Sequence, residues 1–166
     1  MNNKKKLVYW LDLTGPADFD EIIRLTIIDT NNKVLFDHEF GTDLVGYWES
    51  WLNGINPDDV VNKPLFKDFK DEVQTIFDQA SKVITFYGHV NRLQAQGINV
   101  LQAPFDDLSD DFRVMADGSE DTLEHMCNYY GYPLQTNIMK RTGLDNAKAV
   151  NYCYQQMQRY RQANSD

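Results

Sequence analysis

The sequence predicts a single α/β domain built on a mixed β-sheet with flanking helices. Three strand patterns follow one another between residues 7 and 40, an amphipathic helix and a further apolar strand come next, and two helical patterns lie in the C-terminal part. At 166 residues, with 42% hydrophobic and 13% aromatic residues, the chain can bury one sizeable core. We expect one domain over residues 1–166, with residues 1–6 and 162–166 flexible.

The first three strands predict an antiparallel meander. Leu7–Leu13 (LVYWLDL) is mostly apolar and is predicted to be a buried strand. Glu21–Asp29 alternates apolar and polar residues, residues 31–32 supply a turn, and Lys33–Phe40 returns beside it. The predicted core-facing residues of the second and third strands are Ile23, Leu25, Ile27, Val34, Phe36 and Phe40.

The next segment predicts a helical crossover to a parallel strand. A helix is predicted to begin at Pro64, a residue type favoured at the first helical position, and Val83–Phe86 is a short apolar strand after it. Because a strand reached through a helical crossover pairs in parallel, Val83–Phe86 is predicted to join the meander in that direction. The predicted apolar stripe of the helix is Phe69, Val73, Ile76, Phe77 and Ala80.

Two more helices are predicted in the C-terminal part. Ser119 is the predicted cap of the first, and acidic residues follow it in the first turn, where the helix dipole favours them. Gly131 and Pro133 are predicted to end this helix. The last helix is predicted to start near Leu144 and to carry the apolar stripe Val150, Cys153, Tyr154 and Met157.

The chain is acidic, which bears on its partners. Its 16 Lys and Arg against 25 Asp and Glu give a formal net charge of −9. This excess opposes nonspecific nucleic-acid binding, because such binding depends on Lys and Arg meeting phosphates. No apolar run approaches the roughly 20 residues that span a bilayer. The basic start Met1–Lys6 is followed by an apolar segment too short for a signal sequence.

The two cysteines, Cys127 and Cys153, both lie in predicted helices. They are interpreted as small buried hydrophobic residues with free thiols, and a disulfide is the alternative. We therefore expect a cytoplasmic protein with no membrane segment.

Several motifs occur in the order found in one nuclease family. The first strand ends in Trp10–Gly15 (WLDLTG), where that family has Asp-x-Glu-Thr-Thr-Gly, and Gly54–Val60 (GINPDDV) is similar to its Gly-Ile-Thr-x-x-x-Val turn. Tyr87–Asn91 (YGHVN) follows a short strand, as the family's Asn-x-x-Phe-Asp motif does. Arg141–Ala149 (RTGLDNAKA) looks like its His-x-x-x-x-Asp motif. The chain therefore resembles the DnaQ-like (DEDD) 3′–5′ exonucleases, whose ribonuclease H-like fold it is expected to share.

The resemblance places different residues at the catalytic positions of that family. Trp10 stands at its first metal-binding Asp, and Asp12 stands at its Glu. Asn91 and Asn146 stand at the two remaining Asp positions, and Arg141 stands at the general-base His. A gapped alignment instead makes Asp12 the first Asp, but no Glu then follows at the required spacing. In both alignments one carboxylate remains.

This residue set is unfavourable for a two-metal nuclease. Such enzymes use divalent ions to generate hydroxide and to neutralise the leaving oxyanion. Mg²⁺ and Mn²⁺ prefer anionic oxygen ligands, and Asn keeps the shape of Asp without its charge. Trp10 would place an indole in the metal position, and Arg141 is a cation that cannot act as a base. We therefore expect no metal cofactor and no efficient catalysis at this site.

Some residues at the motifs leave alternatives open. Asp145 adjoins Asn146 and either restores one ligand after a one-residue shift or caps the last helix. Asp12 is either a surviving ligand or a carboxylate held by hydrogen bonds at the sheet end. Asn91 is an ordinary capping or surface residue if the resemblance to the family is wrong, and His89 is interpreted as a loop or packing residue.

Two features are candidates for a partner surface. Trp48 and Trp51 lie in an aromatic connection at residues 46–52, where such side chains either anchor an interface or pack over the sheet. The second feature is an acidic run, which is either a solvated face or an imitation of a phosphate backbone. Its residues are Asp106, Asp107, Asp110, Asp111, Asp117, Glu120 and Asp121.

These observations give three functional hypotheses. The leading one is a non-catalytic protein of this fold that acts by protein binding and inhibits a basic, nucleic-acid-processing partner through the acidic run. The alternative is a weak 3′–5′ exonuclease that uses Asp12 and Asp145 with Mg²⁺ or Mn²⁺. The third is a protein that binds nucleic-acid ends without cleavage, which the net charge of −9 disfavours.

Overall fold

A five-stranded mixed sheet forms the centre of the structure, with helices packed on both of its faces. The computed structural model describes residues 3–43, 48, 50–115 and 122–165. The strands are β1 (Lys5–Leu13), β2 (Ile22–Asp29), β3 (Val34–Glu39), β4 (Ala80–Thr85) and β5 (Phe105–Asp107). Their order is β3-β2-β1-β4-β5, in which the β1–β2 and β2–β3 pairs are antiparallel and the β1–β4 and β4–β5 pairs are parallel. The predicted α/β class, the meander and the parallel crossover are confirmed.

Seven α-helices and two short 3₁₀ helices are found within the described residues. The 3₁₀ helices span Phe66–Phe69 and Ile138–Lys140. Within the part of the chain that is described, no helix combines the length and the hydrophobicity needed to cross a membrane. The α-helices are α1 (Ser50–Asn53), α2 (Pro57–Val60), α3 (Lys70–Asp78), α4 (Val90–Ala95), α5 (Leu108–Met115), α6 (Leu123–Tyr130) and α7 (Gly143–Ala163).

Alternate residues of β1 face two separate cores. Leu7 and Tyr9 pack on one face of the sheet with Phe77 of α3. Val8 packs on the other face, in a cluster that contains Cys127 of α6 and residues of α7. Because side chains of a strand alternate between its two faces, one central strand holds both helical layers in place.

The sequence placed the first long helix too early. The α-helix begins at Lys70, after a 3₁₀ turn, and Ala80 belongs to β4 rather than to the helical stripe. Pro64 lies in extended chain next to the end of the meander: the Gly41 amide donates to the Pro64 carbonyl at 3.0 Å, and Leu65 forms a bridge with Gly41. This tertiary contact overrides the local preference of Pro64 for a helix start.

Two register shifts in the meander redirect residues that were predicted to face one core. The pairing of β1 with β2 shifts register between Asp12 and Leu13. As a result, Ile23 packs in a small cluster with Trp48 and not in the core that contains Leu25 and Ile27. A second shift, in the β2–β3 pairing, leaves Val34 exposed. An irregularity in a ladder changes which face a side chain occupies, and the sequence pattern did not reveal either one.

Several elements near the ends of the strands were not predicted. β5 and α4 are too short for a clear hydrophobic periodicity, and α5 is short with polar residues in its first turn. The predicted cap Ser119 and its neighbours Glu120 and Asp121 lie outside the described residues, and the N-cap of α6 is Thr122. The predicted end at Gly131 is confirmed, with a φ of 76°.

Secondary structure reaches further toward both chain ends than expected, whereas the cysteines agree with the prediction. β1 begins at Lys5, and α7 begins at Gly143 and continues to Ala163, so ordered elements extend into both segments that we expected to be flexible. Cys127 and Cys153 are buried free thiols, as expected. The disulfide alternative is not formed.

Candidate functional site

A cleft of about 490 Å³ lies where β1 ends, between the end of the sheet and the start of α7. It brings together four of the motif residues that the sequence singled out, Trp10, Asp12, Arg141 and Asn146. We call it the Asp12 cleft. Its other lining residues are Leu52, Asn53, Phe86, Tyr87, His89, Thr122, Leu123, Glu124 and Ile138.

Asp12 is buried and already has two hydrogen-bond donors. Arg24 Nε donates to Asp12 Oδ2 at 2.7 Å, and Trp10 Nε1 donates to the same oxygen at 2.8 Å. Burial raises the pKa of the Asp12 carboxyl, while the Arg24 charge and these hydrogen bonds act in the opposite direction. The carboxylate is therefore committed to a structural ion pair, and the interpretation of Asp12 as a residue held by hydrogen bonds is confirmed.

Arg24 is the principal site residue that the sequence analysis missed. It lies in β2 directly opposite Asp12, and its side chain is buried. Arg24 Nη2 also donates to the Asn53 carbonyl at 3.1 Å, so the guanidinium links β1 to α1. A signal was present, because an Arg in the mostly apolar strand IIRLTIID needs an acidic partner, and Asp12 is the only acidic residue of β1.

Arg141 connects two segments of the chain at the other wall of the cleft. Its Nε donates to the Gln135 carbonyl at 2.8 Å, and its Nη1 lies 2.6 Å from Glu124 Oε1. Burial by itself raises the pKa of Glu124, but the hydrogen bond from Arg141, a backbone hydrogen bond and the Arg141 charge together lower it. Arg141 thus ties α6 to the segment before α7, at the position where the resemblance implies a general base.

Asn146 and Asp145 are adjacent in α7, and their surroundings differ. Asn146 is 1% exposed, lines the cleft, and its Oδ1 has no hydrogen-bond partner among the described residues. Asp145 accepts from the Thr142 amide at 2.9 Å, while the Asp145 amide donates to the Thr142 hydroxyl, which completes a capping box. The capping interpretation of Asp145 is confirmed, and Asp145 does not line the cleft.

Asn91 does not belong to the cleft, which corrects its placement from the motif. It lies on the exposed surface of α4, and Tyr87 and His89 line the cleft instead. The preceding turn is fixed by the Asp107 carboxylate, which accepts from the amides of Tyr87 and Gly88 at 3.0 and 3.1 Å. α4 starts at this turn, and Asn91 in its first turn is exposed and does not line the cleft.

Gly88 and His89 shape the turn before α4. The Tyr9 hydroxyl donates to the Gly88 carbonyl at 2.7 Å, and a Cβ on Gly88 would lie 2.2 Å from that hydroxyl oxygen. His89 has a φ of 48°, in the left-handed region. Partial burial lowers the pKa of the His89 imidazole, and the charges of Asp12 and Asp107 oppose this shift. His89 therefore presents a neutral ring to the cleft near pH 7.

Comparisons with known proteins identify the fold. No family model matches the sequence, and no curated protein matches it. A chain of the co-crystal of the yeast NOT1 MIF4G domain with CAF1 matches with a TM-score of 0.67 and 14% identity, over 96% of this chain and 81% of that chain. S. pombe Pop2p in its Mg²⁺ and Mn²⁺ bound form matches with a TM-score of 0.67 and 12% identity, over 95% and 84%. Exonuclease X in complex with 5′ overhanging duplex DNA matches with a TM-score of 0.65 and 11% identity, over 93% and 92%.

This chain has the DnaQ-like exonuclease fold. The prediction that was based on the order of the motifs is thereby confirmed for the architecture. At 11–14% identity the similarity concerns the fold alone.

The Asp12 cleft does not fit the divalent-metal centre that the DnaQ-like fold implies. Pop2p has Mg²⁺ and Mn²⁺ bound. Here a metal ion would have to compete with the Arg24 guanidinium for the Asp12 carboxylate, and the other carboxylate that lines the cleft, Glu124, is paired with Arg141. Within residues 3–43, 48, 50–115 and 122–165, no group of three or more His, Cys, Asp or Glu side chains is placed to hold a metal ion.

Three of the four acids of the run that the structure describes are engaged in contacts within the protein. Asp106 pairs with Lys82 at 3.2 Å, and Asp111 pairs with Arg161 at 2.6 Å. Asp107 accepts from the backbone of the turn before α4 and from Ser109 at the start of α5. Asp110 is exposed. The remaining acids of the run, Asp117, Glu120 and Asp121, lie outside the described residues.

The two tryptophan candidates also differ. Trp48 is buried with Ile23, and its Nε1 donates to the Ile55 carbonyl at 2.9 Å, so it packs over the sheet. Trp51 of α1 is 65% exposed, and the neighbouring Leu52 is 54% exposed. Of the aromatic connection, Trp51 therefore remains the candidate for an interface, and Trp48 does not.

Proposed function

We propose that this chain is a non-catalytic protein of the DnaQ-like exonuclease fold that acts by binding another protein. The absence of catalysis is supported mainly by the ion pair of Asp12 with Arg24. Asp12 is the single carboxylate of β1, and Arg24 and Trp10 both donate to one of its oxygens. A charge-compensated carboxylate attracts a divalent cation weakly, so metal-assisted hydrolysis lacks its first ligand.

The exonuclease alternative also lacks support at its second residue. Asp145 is used by the capping box of α7 and does not line the cleft with Asp12. Asn146, which does line the cleft, is uncharged. Two metal ions in this cleft would therefore have no carboxylate ligand from α7. The exonuclease alternative would require the start of α7 to rearrange.

A groove beside the cleft supports the protein-binding half of the proposal. A cavity of about 470 Å³ adjoins the Asp12 cleft, and Leu52, Glu124 and Arg141 line both. The exposed side chains of Trp51 and Leu52 stand on its rim, and exposed Trp residues are common anchors of protein interfaces. We call this surface the Trp51 face; its apolar residues are Trp51, Leu52, Tyr132, Pro133, Leu134 and Ile138.

The position of the Trp51 face is fixed by backbone packing. Gly54 follows α1 with a φ of 76°, and a Cβ on it would lie 2.0 Å from the Ile138 carbonyl oxygen. This close approach holds α1 against the 3₁₀ helix Ile138–Lys140. A surface whose backbone is held in this way loses little conformational entropy when a partner binds.

Charge defines the class of partner that fits the Trp51 face. Glu124 is exposed at the edge of the groove, and the whole chain carries a net charge of −9. We infer a protein partner that inserts apolar side chains into the groove and carries basic residues around them. Among the proteins of similar fold, CAF1 is co-crystallized with the NOT1 MIF4G domain, so protein binding is compatible with this architecture.

The absence of catalysis is tested with labelled single-stranded DNA and RNA in Mg²⁺ or Mn²⁺. We expect no shortening beyond that seen with Asp12→Ala, and no rise in melting temperature on adding either ion. Degradation by the wild type that disappears in Asp12→Ala would establish the enzyme instead.

The binding surface is tested with a matched pair of substitutions. Leu52→Glu places a charge on the Trp51 face, and Leu101→Glu places the same charge on a leucine that is 50% exposed elsewhere. A partner captured by the wild type, then purified and titrated, should bind at least about tenfold more weakly to Leu52→Glu and unchanged to Leu101→Glu. Equal binding by both variants would remove the Trp51 face from the proposal. Loss on Asp110→Lys alone would move the interface to the acidic run.

A further inference from the structure

A separate cavity of about 400 Å³ lies near the other end of β1 from the Asp12 cleft. Lys6 of β1, Asn31 of the β2–β3 turn, and Gln158 and Arg159 of α7 line it. None of its lining residues is acidic, whereas four other cavities formed by the described residues each include at least one Asp or Glu. In a chain with a net charge of −9, this is an unusual local environment.

The two cations of the cavity have no acidic partner, although their neighbours do. Lys5 pairs with Asp29 at 3.8 Å, and Arg161 pairs with Asp111 at 2.6 Å. Lys6 and Arg159 form no salt bridge within the described part of the chain. Both side chains are exposed at the cavity. Their positive charge is thus available to a ligand.

A third lining residue, Gln158, has an unused hydrogen-bond donor. Gln158 Nε2 is buried and has no acceptor among the described residues. By contrast, the side chain of Gln155, one turn earlier in α7, donates to the Thr30 carbonyl at 3.2 Å. A buried N–H without an acceptor is unfavourable, so an acceptor oxygen supplied by a ligand at Gln158 would relieve this cost.

The carboxylate of Asp106 is compensated by a lysine that neighbours Lys6 in the sheet. Lys82 of β4 pairs with Lys6 of β1 across the strands and is ion-paired to Asp106 at 3.2 Å. The Lys82 ammonium also lies 5.4 Å from the ring centroid of Tyr154, which lines the cavity. Asp106 therefore does not cancel the positive charge of Lys6 and Arg159.

We propose that this cavity binds a small phosphorylated molecule. A guanidinium, an ammonium and an amide N–H together match the several acceptor oxygens and the negative charge of a phosphate group, and Arg binds such groups through two parallel hydrogen bonds. The volume falls within the range of small-molecule sites, and the acidic remainder of the surface disfavours a polyanion. The proposal does not depend on the Trp51 face or on the Asp12 cleft.

Calorimetric titration of the full chain with inorganic phosphate, pyrophosphate and adenosine monophosphate tests the proposal. We expect saturable binding of at least one of them at a 1:1 ratio. Tighter binding of the nucleotide than of the inorganic anions would show that the cavity also holds the organic part, and equal binding would assign recognition to the phosphate alone. No saturable binding of any of the three up to about 10 mM, well above the affinities expected of a specific small-molecule site, would overturn the proposal.

Substitutions in α7 locate the binding. Arg159→Ala should weaken binding at least about tenfold, because it removes a charge-assisted hydrogen bond to the ligand. Arg161→Ala removes the same charge from the same helix but lies outside the cavity lining, and should change binding less than about twofold. Gln158→Leu should weaken binding without lowering the melting temperature of the free protein. Equal weakening by Arg159→Ala and Arg161→Ala would indicate attraction by net charge only and would reject the site.

Discussion

Asp12 and Arg24 face each other across β1 and β2, and Arg24 Nε donates to Asp12 Oδ2 at 2.7 Å. Both side chains are buried, and the pair lies next to the register shift between Asp12 and Leu13. A buried ion pair contributes little net stability relative to an apolar pair, but the loss of one partner leaves a buried charge uncompensated. The pair therefore holds the two strands together and occupies the carboxylate that a metal would need.

A double-mutant cycle on this pair should show strong coupling. We expect Asp12→Leu or Arg24→Met alone to lower the free energy of unfolding by about 3–5 kcal/mol, and the double variant to lose less than either single variant. Urea unfolding measures these differences. Lys63→Met is the control, because it removes the more exposed pair with Glu39 and should cost no more than about 1 kcal/mol. Additive effects of Asp12→Leu and Arg24→Met would contradict the coupling.

Two buried asparagines of α7 allow the effect of an unsatisfied side-chain polar atom on the free energy of unfolding to be measured. Asn146 and Asn151 are each 1% exposed, but Asn151 Nδ2 donates to the Thr30 carbonyl at 3.1 Å and to Asn32 Oδ1 at 2.8 Å. Asn151→Leu should lower the free energy of unfolding by about 1–3 kcal/mol, because it leaves these acceptors unpaired. Asn146→Leu should be neutral or stabilising, because it removes a buried carbonyl oxygen that has no partner among the described residues. Thermal and urea unfolding compare them, and an equal loss in both variants would show that Asn146 is satisfied.

The stability of the protein at acid pH should depend on Glu124. Its pKa is lowered below the ordinary value of 4.5, so the folded state gains stability from Glu124 above that pH and loses it as the pH falls through the lowered pKa. Glu124→Gln should therefore be less stable than the wild type near pH 7, by at most about 1 kcal/mol because the carboxylate is half exposed. Unfolding curves between pH 7 and pH 3 should show the difference shrinking below pH 4.5. A difference that does not change with pH would exclude the Arg141 pair as its cause.

Gly54 should tolerate substitution less well than another glycine with the same backbone conformation. Gly54 and Gly97 have φ values of 76° and 82°, but a Cβ on Gly97 would meet nothing within 4 Å. Gly97→Ala should cost about 1–2 kcal/mol from backbone strain alone, and Gly54→Ala should cost more because its Cβ meets the Ile138 carbonyl. Chemical unfolding measures both. Gly54→Ala should also weaken binding at the Trp51 face, and equal stability losses in the two variants would argue against the close packing of α1.

The fold was predictable because strand and helix patterns of adequate length dominate the chain. The strand Leu7–Leu13 and the helix stripe around Val150 were read correctly, since their apolar residues recur at the periods of buried elements. The starts and ends of elements were less predictable: Pro64 is drawn into extended pairing with Gly41, and short elements such as β5 carry too few residues for a periodic signal. Boundaries depend on contacts between distant segments, which no local pattern contains.

The candidate site was likewise predictable only in part from the sequence. The sequence indicated that Trp10, Asp12, Arg141 and Asn146 belong together, and the cleft contains all four. It misplaced Asn91, because the turn that begins α4 is set by Asp107, nineteen and twenty residues away from the amides that it binds. It also missed Arg24, whose importance comes from its register with Asp12 rather than from any motif.

The sequence by itself determined the α/β architecture, the loss of carboxylates at the motif positions and the acidic character of the chain, because residue identity and periodicity fix these properties locally. Only the tertiary structure decided that Asp12 is paired with Arg24, that Asp145 is a helix cap, and that Lys6 and Arg159 meet at one cavity. Strand register and helix packing bring these residues together across the chain. Their chemistry depends on which charges become neighbours, and that is a property of the folded protein.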